Sequence, residues 1–360
     1  MTGPRARSER PLYMAHVAPG LSELAWEEIA EHAPGSRRGD VWTGVDRRAD
    51  VLLFHSSAPP ASLLELRLVE DVFAVAGVER PLSDTKAGVR AITKLARTAE
   101  ALDRALSTHR LAAAPKLRAR PSYRVVARKS GQHTFRRSDA QHACELGLAQ
   151  RFPRWRPVED SATLEFWLQV IDTTAILALR LSSASMRHRT NRGEQLEGAL
   201  KPTIAHALVR LARVRSGGLL ADPACGSGTL LMEARDTGLR VLGGDADRRA
   251  VRAARANVDG PVAAWDARRL PLRAGAVDGI ATNLPWGKTH SSRDLTRLYR
   301  RLLEEARRVL RPRGRVALLV ADRQLVERLA REVGGYAVER SVRIVVKGAD
   351  AWLIALRKRD

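Results

Sequence analysis

The string Asp222-Pro-Ala-Cys-Gly-Ser-Gly-Thr229 constrains the fold more than any other part of this chain. It follows the apolar run Gly218–Ala221 and leads into Leu230-Leu-Met-Glu-Ala234, the pattern of a strand, a glycine turn and a helix. Gly226 and Gly228 permit the φ angles of a sharp strand-to-helix turn and remove Cβ atoms that would hold a ligand away from the backbone. A dinucleotide fold opens on G-x-G-x-x-G, whereas here an Asp leads and no third glycine follows in register. The turn therefore points away from NAD.

An acidic side chain beside exposed backbone N–H groups suits a ligand end that carries both an ammonium and a carboxylate, as S-adenosylmethionine does. Leu239-Arg-Val-Leu-Gly-Gly-Asp245 is a second short strand ending in a carboxylate, placed to accept hydrogen bonds from both hydroxyls of a ribose. Beyond the helix Arg248 to Asn257, Val262-Ala-Ala-Trp-Asp266 is a third, and Asp266 is placed to accept from an adenine amino group. The candidate cofactor-binding set is thus Asp222, Ala224, Cys225, Gly226, Gly228, Thr229, Asp245, Asp266 and Asn283. Taken singly, each carboxylate reads as an ordinary N-cap or turn residue; together with the glycine turn they read as a cofactor site.

Asn283-Leu-Pro-Trp286 follows Val277-Asp-Gly-Ile-Ala-Thr282, a fourth strand, and again falls at a carboxyl end, where open α/β sheets place their ligands. The lone pair of an exocyclic base amine is delocalised into the ring until acceptors draw its hydrogens out of plane. The Asn283 side-chain oxygen and the Leu284 carbonyl are two such acceptors, Pro285 stiffens the segment, and Trp286 offers a flat face for a base drawn from its stack. No strong base is needed, because the proton becomes acidic only as the N–CH3 bond forms. Asn283, Leu284, Pro285 and Trp286 are the candidate catalytic residues.

At these residues the chain resembles the THUMP-domain RNA guanine-N2 methyltransferases, particularly those acting on tRNA. The resemblance rests on Asp222 to Thr229, Gly244-Asp245, Asn283 to Trp286 and Ala199-Leu-Lys-Pro-Thr-Ile-Ala205, a helix leading into the methyltransferase core. In the N-terminal half it is looser: Tyr13-Met-Ala-His-Val-Ala-Pro-Gly-Leu21 with Glu27-Glu28 resembles the opening of a ferredoxin-like domain, and Ser122-Tyr-Arg-Val-Val-Ala-Arg128 the central strand of a THUMP module. The family usually writes Asn or Asp, Pro, Pro, and Phe or Tyr, so Leu284 and Trp286 depart from its pattern; Leu284 keeps the carbonyl and Trp286 the aromatic face. The resemblance implies an α/β chain: a doubly wound, Rossmann-like class I methyltransferase domain preceded by a ferredoxin-like plus THUMP α+β region that binds RNA. It also implies N2 methylation of guanosine in tRNA. The same chemistry on ribosomal RNA, N6 methylation of adenine, and a non-catalytic RNA-binding protein remain as alternatives.

The expected boundaries are a ferredoxin-like domain over 1–80, a THUMP domain over 81–181, a polar linker over 182–198 and the methyltransferase domain over 199–360. A helix is expected near Ala91 to Leu106 and a hairpin pairing Leu164–Val170 with Ile176–Leu181. Later, apolar strands over Gly218–Ala221, Val241–Gly244, Val262–Ala264, Gly279–Thr282 and Val316–Ala321 alternate with helices, and Tyr336–Val346 and Ala351–Leu356 form a closing hairpin.

The net charge of +22, from 62 basic against 40 acidic residues, calls for a phosphate-bearing partner. It is uneven, at −3 over residues 1–80 and +10 over 81–140, the stretch that coincides with the proposed RNA-binding module. The resemblance implies that this module grips the single-stranded 3′ end of tRNA, and Arg124, Arg128, Lys129, Arg136 and Arg137 are the candidate phosphate contacts. A second cluster, Arg293 to Arg315, holds nine arginines against three acids on or beside an amphipathic helix; RNA contact and a solvated helix face are equally consistent with it. Two cysteines, Cys144 and Cys225, lack metal-ligand spacing, so neither a zinc site nor a disulfide scaffold is expected. With no apolar signal core in Met1 to Pro11 and no membrane-length apolar run, a cytoplasmic chain without membrane or metal partners is expected.

Overall fold

The structure, a computed structural model, describes residues 10–113, 120–187, 189, 196, 199–285 and 292–360. It divides into two compact units, Met1–Met186 and Arg187–Asp360.

The first unit contains β1 (Leu12–Val17), α1 (Ser22–His32), β2 (Arg37–Val45), β3 (Ala49–His55), β4 (Val69–Glu79), α2 (Lys86–Thr98), α3 (Leu102–Ala113), β5 (Ser122–Ser130), α4 (Arg137–Arg151), β6 (Arg156–Pro157), β7 (Leu164–Ile171) and β8 (Thr174–Arg180). A short helix, α5 (Ala184–Arg187), follows. All eight strands form one sheet in the order β2-β3-β1-β4-β8-β7-β5-β6. The regions 1–80 and 81–181 thus meet inside a single sheet, along the antiparallel β4–β8 pair that sets Phe73 against Arg180 and Glu79 against Ala175. A cluster of Met14, Phe73, Trp167 and Ile176 crosses that seam, with the Phe73 and Trp167 rings 5.2 Å apart. The β7–β8 hairpin forms as expected, pairing Ile171 with Thr174. One expectation needs correction. The chain bends at Ala99, so the helix expected near Ala91 to Leu106 is two: α2 packs chiefly on α4 and less on β4 and β8, whereas α3 packs on β4 and β8. Local propensity favours continuation through Ala and Leu, and differing packing partners override it. Among the strands of 81–181, the strand at Ser122, β5, has a neighbour on each side, β7 and the two-residue edge strand β6.

The second unit contains α6 (Pro202–Ala212), β9 (Leu219–Asp222), α7 (Thr229–Asp236), β10 (Arg240–Asp245), α8 (Arg248–Asn257), β11 (Val262–Ala264), β12 (Val277–Asn283), α9 (Ser292–Val309), β13 (Leu310–Val320), α10 (Arg323–Val333), β14 (Tyr336–Val346) and β15 (Ala349–Lys358). Its sheet runs β11-β10-β9-β12-β13-β15-β14. The first five strands are parallel and β15 pairs antiparallel with both neighbours. Alternation along β13 explains the two covered faces: Val316, Leu318 and Val320 join one core cluster with Leu302 and Leu303 of α9 and Leu329 of α10. The intervening Ala317 and Leu319 are equally buried outside that cluster, and α6 packs on the same strand. Among the described residues, no helix is long and apolar enough to cross a membrane.

Candidate active site

In this sheet the strand order reverses beside β9: β10 and β11 extend to one side, then the chain returns to place β12 on the other. In open α/β sheets such a switch point, at the carboxyl ends of the strands, is where ligands bind. The parallel register sets Leu220 against Gly279 and Ala221 against Ile280. That register puts Asp222, the last residue of β9, level with Ala281, and Asn283, the last residue of β12, stands two residues further along the adjacent strand, so the two motifs leave the sheet at neighbouring strand ends.

Asp222 is almost wholly buried, and one carboxylate oxygen accepts from the Ala224 N–H at 3.1 Å. Burial, reinforced by the nearby Asp245 charge, pushes its carboxyl up to about 7 despite that bond. Asp245 ends β10 and holds the glycine turn from the other side: one oxygen accepts from the Gly226 N–H at 2.9 Å, the other from the Asp247 N–H at 3.0 Å. Gly226 stands at φ +53°, and a Cβ there would meet nothing within 4 Å, so the turn faces open space. Gly228, at φ +88°, is required for two reasons, since a Cβ would also lie 2.5 Å from Val258. Thr229 begins α7 directly after it, and burial keeps the Cys225 thiol protonated by raising its pKa.

Trp265, which the sequence reading passed over, braces this turn. Its indole N–H donates to the Pro223 carbonyl at 3.0 Å, and the ring lies so near Gly244 that a Cβ there would come within 2.1 Å of it. Asp266 follows at the mouth of β11 with its carboxylate already gripped by Arg268, at 2.9 and 3.0 Å from Nε and 2.6 Å from Nη2. That guanidinium holds Asp266 below the usual carboxylate range, so an adenine amine would share the acceptor with Arg268.

At the end of β12, Asn283 is half-buried and pairs in register with Leu319. The Leu284 side chain is fully buried in the core cluster, which leaves its main chain as the polar part at the site. The next carbonyl, of Pro285, accepts from the Tyr299 hydroxyl of α9 at 3.0 Å. Tyr299 is itself buried, and burial raises its pKa, so the phenol stays a neutral donor. Trp286 lies outside the described residues. A buried acid, a glycine turn facing open space and a second strand-end carboxylate fit a ligand with an ammonium, a carboxylate and a ribose.

Residues 189–349 match a family model described as RMKL-like, methyltransferase domain. The chain is 32% identical over 245 residues, 65% of its own length and 71% of the relative's, to the tRNA (guanine(6)-N2)-methyltransferase of Thermus thermophilus. This chain belongs to the tRNA guanine-N2 methyltransferase family. A mouse member, tRNA (guanine(6)-N(2))-methyltransferase THUMP3, is 30% identical over 226 residues, covering 56% of this chain and 44% of that one. The crystal structure of TrmN from Thermus thermophilus superposes with a TM-score of 0.75 at 27% identity, covering 96% of this chain and 99% of TrmN. As a member of this family the chain is an S-adenosylmethionine-dependent methyltransferase.

The candidate RNA contacts lie in the first unit, away from the glycine turn in sequence, and their environments differ. Arg124 is ion-paired to Glu165, with Nε at 2.7 Å, and to Asp160 at 3.3 Å, so its charge is already spent. The Arg128 guanidinium stacks 4.8 Å from the Trp167 ring centroid, and burial lowers its pKa. Lys129 reaches the Gly131 carbonyl at 3.4 Å and the Phe135 ring at 5.9 Å. Arg136 and Arg137 stand exposed at the start of α4, where Arg137 donates to Gln141 at 3.0 Å. Of the five, the two at the start of α4 are the best presented to a phosphate.

Proposed function

We propose that this family member transfers the methyl group of S-adenosylmethionine to the exocyclic N2 of a guanosine in tRNA, at position 6. The position is taken from the printed activities of the Thermus and mouse relatives. The observation that carries the reading is the β9–β12 pairing, which brings the buried Asp222 and the strand-end Asn283 to neighbouring strand ends at the switch point.

When bound, the cofactor supplies an electrophilic methyl group on a sulfonium. Asp222, with the glycine turn, holds the amino-acid end; Asp245 takes the ribose hydroxyls, and Asp266, shared with Arg268, faces the adenine. The Asn283 side-chain oxygen and the Leu284 carbonyl accept the two hydrogens of the guanine amine, which localises its lone pair toward the methyl carbon. Leu284 can aim its carbonyl because its side chain is sunk in the core and the following carbonyl is tied to Tyr299. Trp286 stacks on the flipped base. As the new N–C bond forms and the methyl–sulfur bond breaks, the amine proton becomes acidic and would pass to solvent. Such preorganised acceptors act mainly in the transition state.

The first unit, with its ferredoxin-like and THUMP regions, positions the RNA through phosphate contacts centred on Arg136, Arg137, Lys129 and Arg128. The test is nucleoside mass spectrometry of tRNA incubated with the full chain and methyl-labelled S-adenosylmethionine. Label in N2-methylguanosine supports the reading; label in N6-methyladenosine, or none, overturns it.

A further inference from the structure

The arginine cluster of Arg293 to Arg315 divides sharply once its ion pairs are traced. Arg300 pairs with Glu332, Arg301 with Glu304, Arg308 with Glu305, Arg311 with Asp278, Arg313 with Asp360 and Arg315 with Glu339. Arg307 is spent on the Val333 carbonyl. Arg293 and Arg297 have no ion-pair or hydrogen-bond partner among the described residues, and both are exposed. They stand four residues apart, one above the other on one face of α9, and with Thr296, Arg300, Arg301 and Glu304 they line a shallow open groove. Cations in the first turns of a helix oppose its dipole, so their placement works against helix stability, eased only by Asp294 between them. Two residues beyond Arg297, Tyr299 points the opposite way and holds Pro285 of the base-orienting loop. One helix thus fixes the catalytic loop with its buried face and shows uncompensated positive charge on its exposed one.

We propose that Arg293 and Arg297 bind the RNA phosphates that flank the target guanosine, a docking surface separate from the RNA-positioning first unit. The inference rests on the functional reading above. Phosphate is the ligand that two adjacent bare guanidinium groups fit, through charge-assisted bonds, on the helix whose other face holds Pro285. These contacts lie close to the reacting base in the chain and act on any sequence, so they seat the flanking backbone while the loop receives the flipped base.

The experiment measures tRNA affinity of the full chain over a salt series, for the parent, for Arg293→Gln/Arg297→Gln, and for Arg301→Gln/Glu304→Gln. The last deletes an ion pair at constant net charge. Loss of the two proposed contacts should weaken binding and flatten the slope of log K against log salt by about 1 per residue, while the charge-neutral pair keeps the parent slope. S-adenosylmethionine titration of each variant confirms an intact second unit. An unchanged slope in Arg293→Gln/Arg297→Gln, or an equal loss in Arg301→Gln/Glu304→Gln, overturns the docking surface. A parent that leaves no label in guanosine overturns the functional reading instead, and nucleoside analysis of the parent separates the two failures.

Discussion

The Tyr299 hydroxyl lies 3.0 Å from the Pro285 carbonyl and ties helix α9 to the loop that ends β12. The bond is partly buried and burial raises the pKa of its phenol donor, so it acts as a fixed strut behind Asn283 and Leu284. Tyr299→Phe removes only the oxygen. The loss of one such bond is worth about 1 kcal/mol of stability, while methyl transfer under single-turnover conditions should slow by about tenfold because the acceptors lose their aim. Cofactor affinity should hold. A variant as fast as the parent would show that the loop is positioned by other contacts.

Asp222 makes the second unit sensitive to pH. Its carboxyl is raised from an ordinary 3.8 to about 7 in the folded chain, so between those values the folded state binds more protons than the unfolded state. Stability of the cofactor-free chain should therefore fall as pH rises from about 4 to 7 and level off above it. Cofactor affinity should move the opposite way, since the ammonium of the ligand needs the ionised acid. Asp222→Asn should flatten both profiles and stabilise the cofactor-free chain; calorimetric titration and thermal melts between pH 5 and 8 read both.

Gly244 has no room for a methyl group. Gly244→Ala drives a carbon against the Trp265 ring, and the indole must leave either the strand or its bond to Pro223. Overpacking of this kind costs about 1–3 kcal/mol, and the displaced turn should lower cofactor affinity as well. Normal binding by a destabilised Gly244→Ala chain would show that Trp265 is only a packing residue.

Asp245 has two roles: it accepts from the Gly226 N–H within the turn, and it is assigned to the ribose hydroxyls. Asp245→Ala should weaken S-adenosylmethionine binding by roughly 2–3 kcal/mol. Asp245→Asn, which keeps one acceptor oxygen, should fall between it and the parent. If the alanine variant binds as tightly as the parent, Asp245 serves the turn alone.

The second unit was largely legible because its signals are local. Each strand is a short apolar run, each glycine turn is written in consecutive residues, and the strand-end acids follow from both. What was not legible depends on distant partners. Tyr299 reads as one aromatic in an arginine-rich helix until the fold brings it to Pro285, and Trp265 reads as core until Gly244 and Pro223 close around it. The continuity of the first sheet was hidden for the same reason, since the β4–β8 pair joins residues about a hundred positions apart. Charge is least legible where pairing is tertiary: Arg124 reads as a free cation in sequence, and Glu165, forty-one residues on, pairs with it.

The central claim is that Asn283 and the Leu284 carbonyl activate the exocyclic amine of a guanine. It is tested most directly by a single-turnover assay in which saturating chain and labelled cofactor meet tRNA and the nucleosides are then resolved by mass spectrometry. The parent should place label in N2-methylguanosine, and Asn283→Ala, binding both ligands, should do so about 100-fold more slowly or worse. Equal rates for Asn283→Ala and the parent would contradict the account.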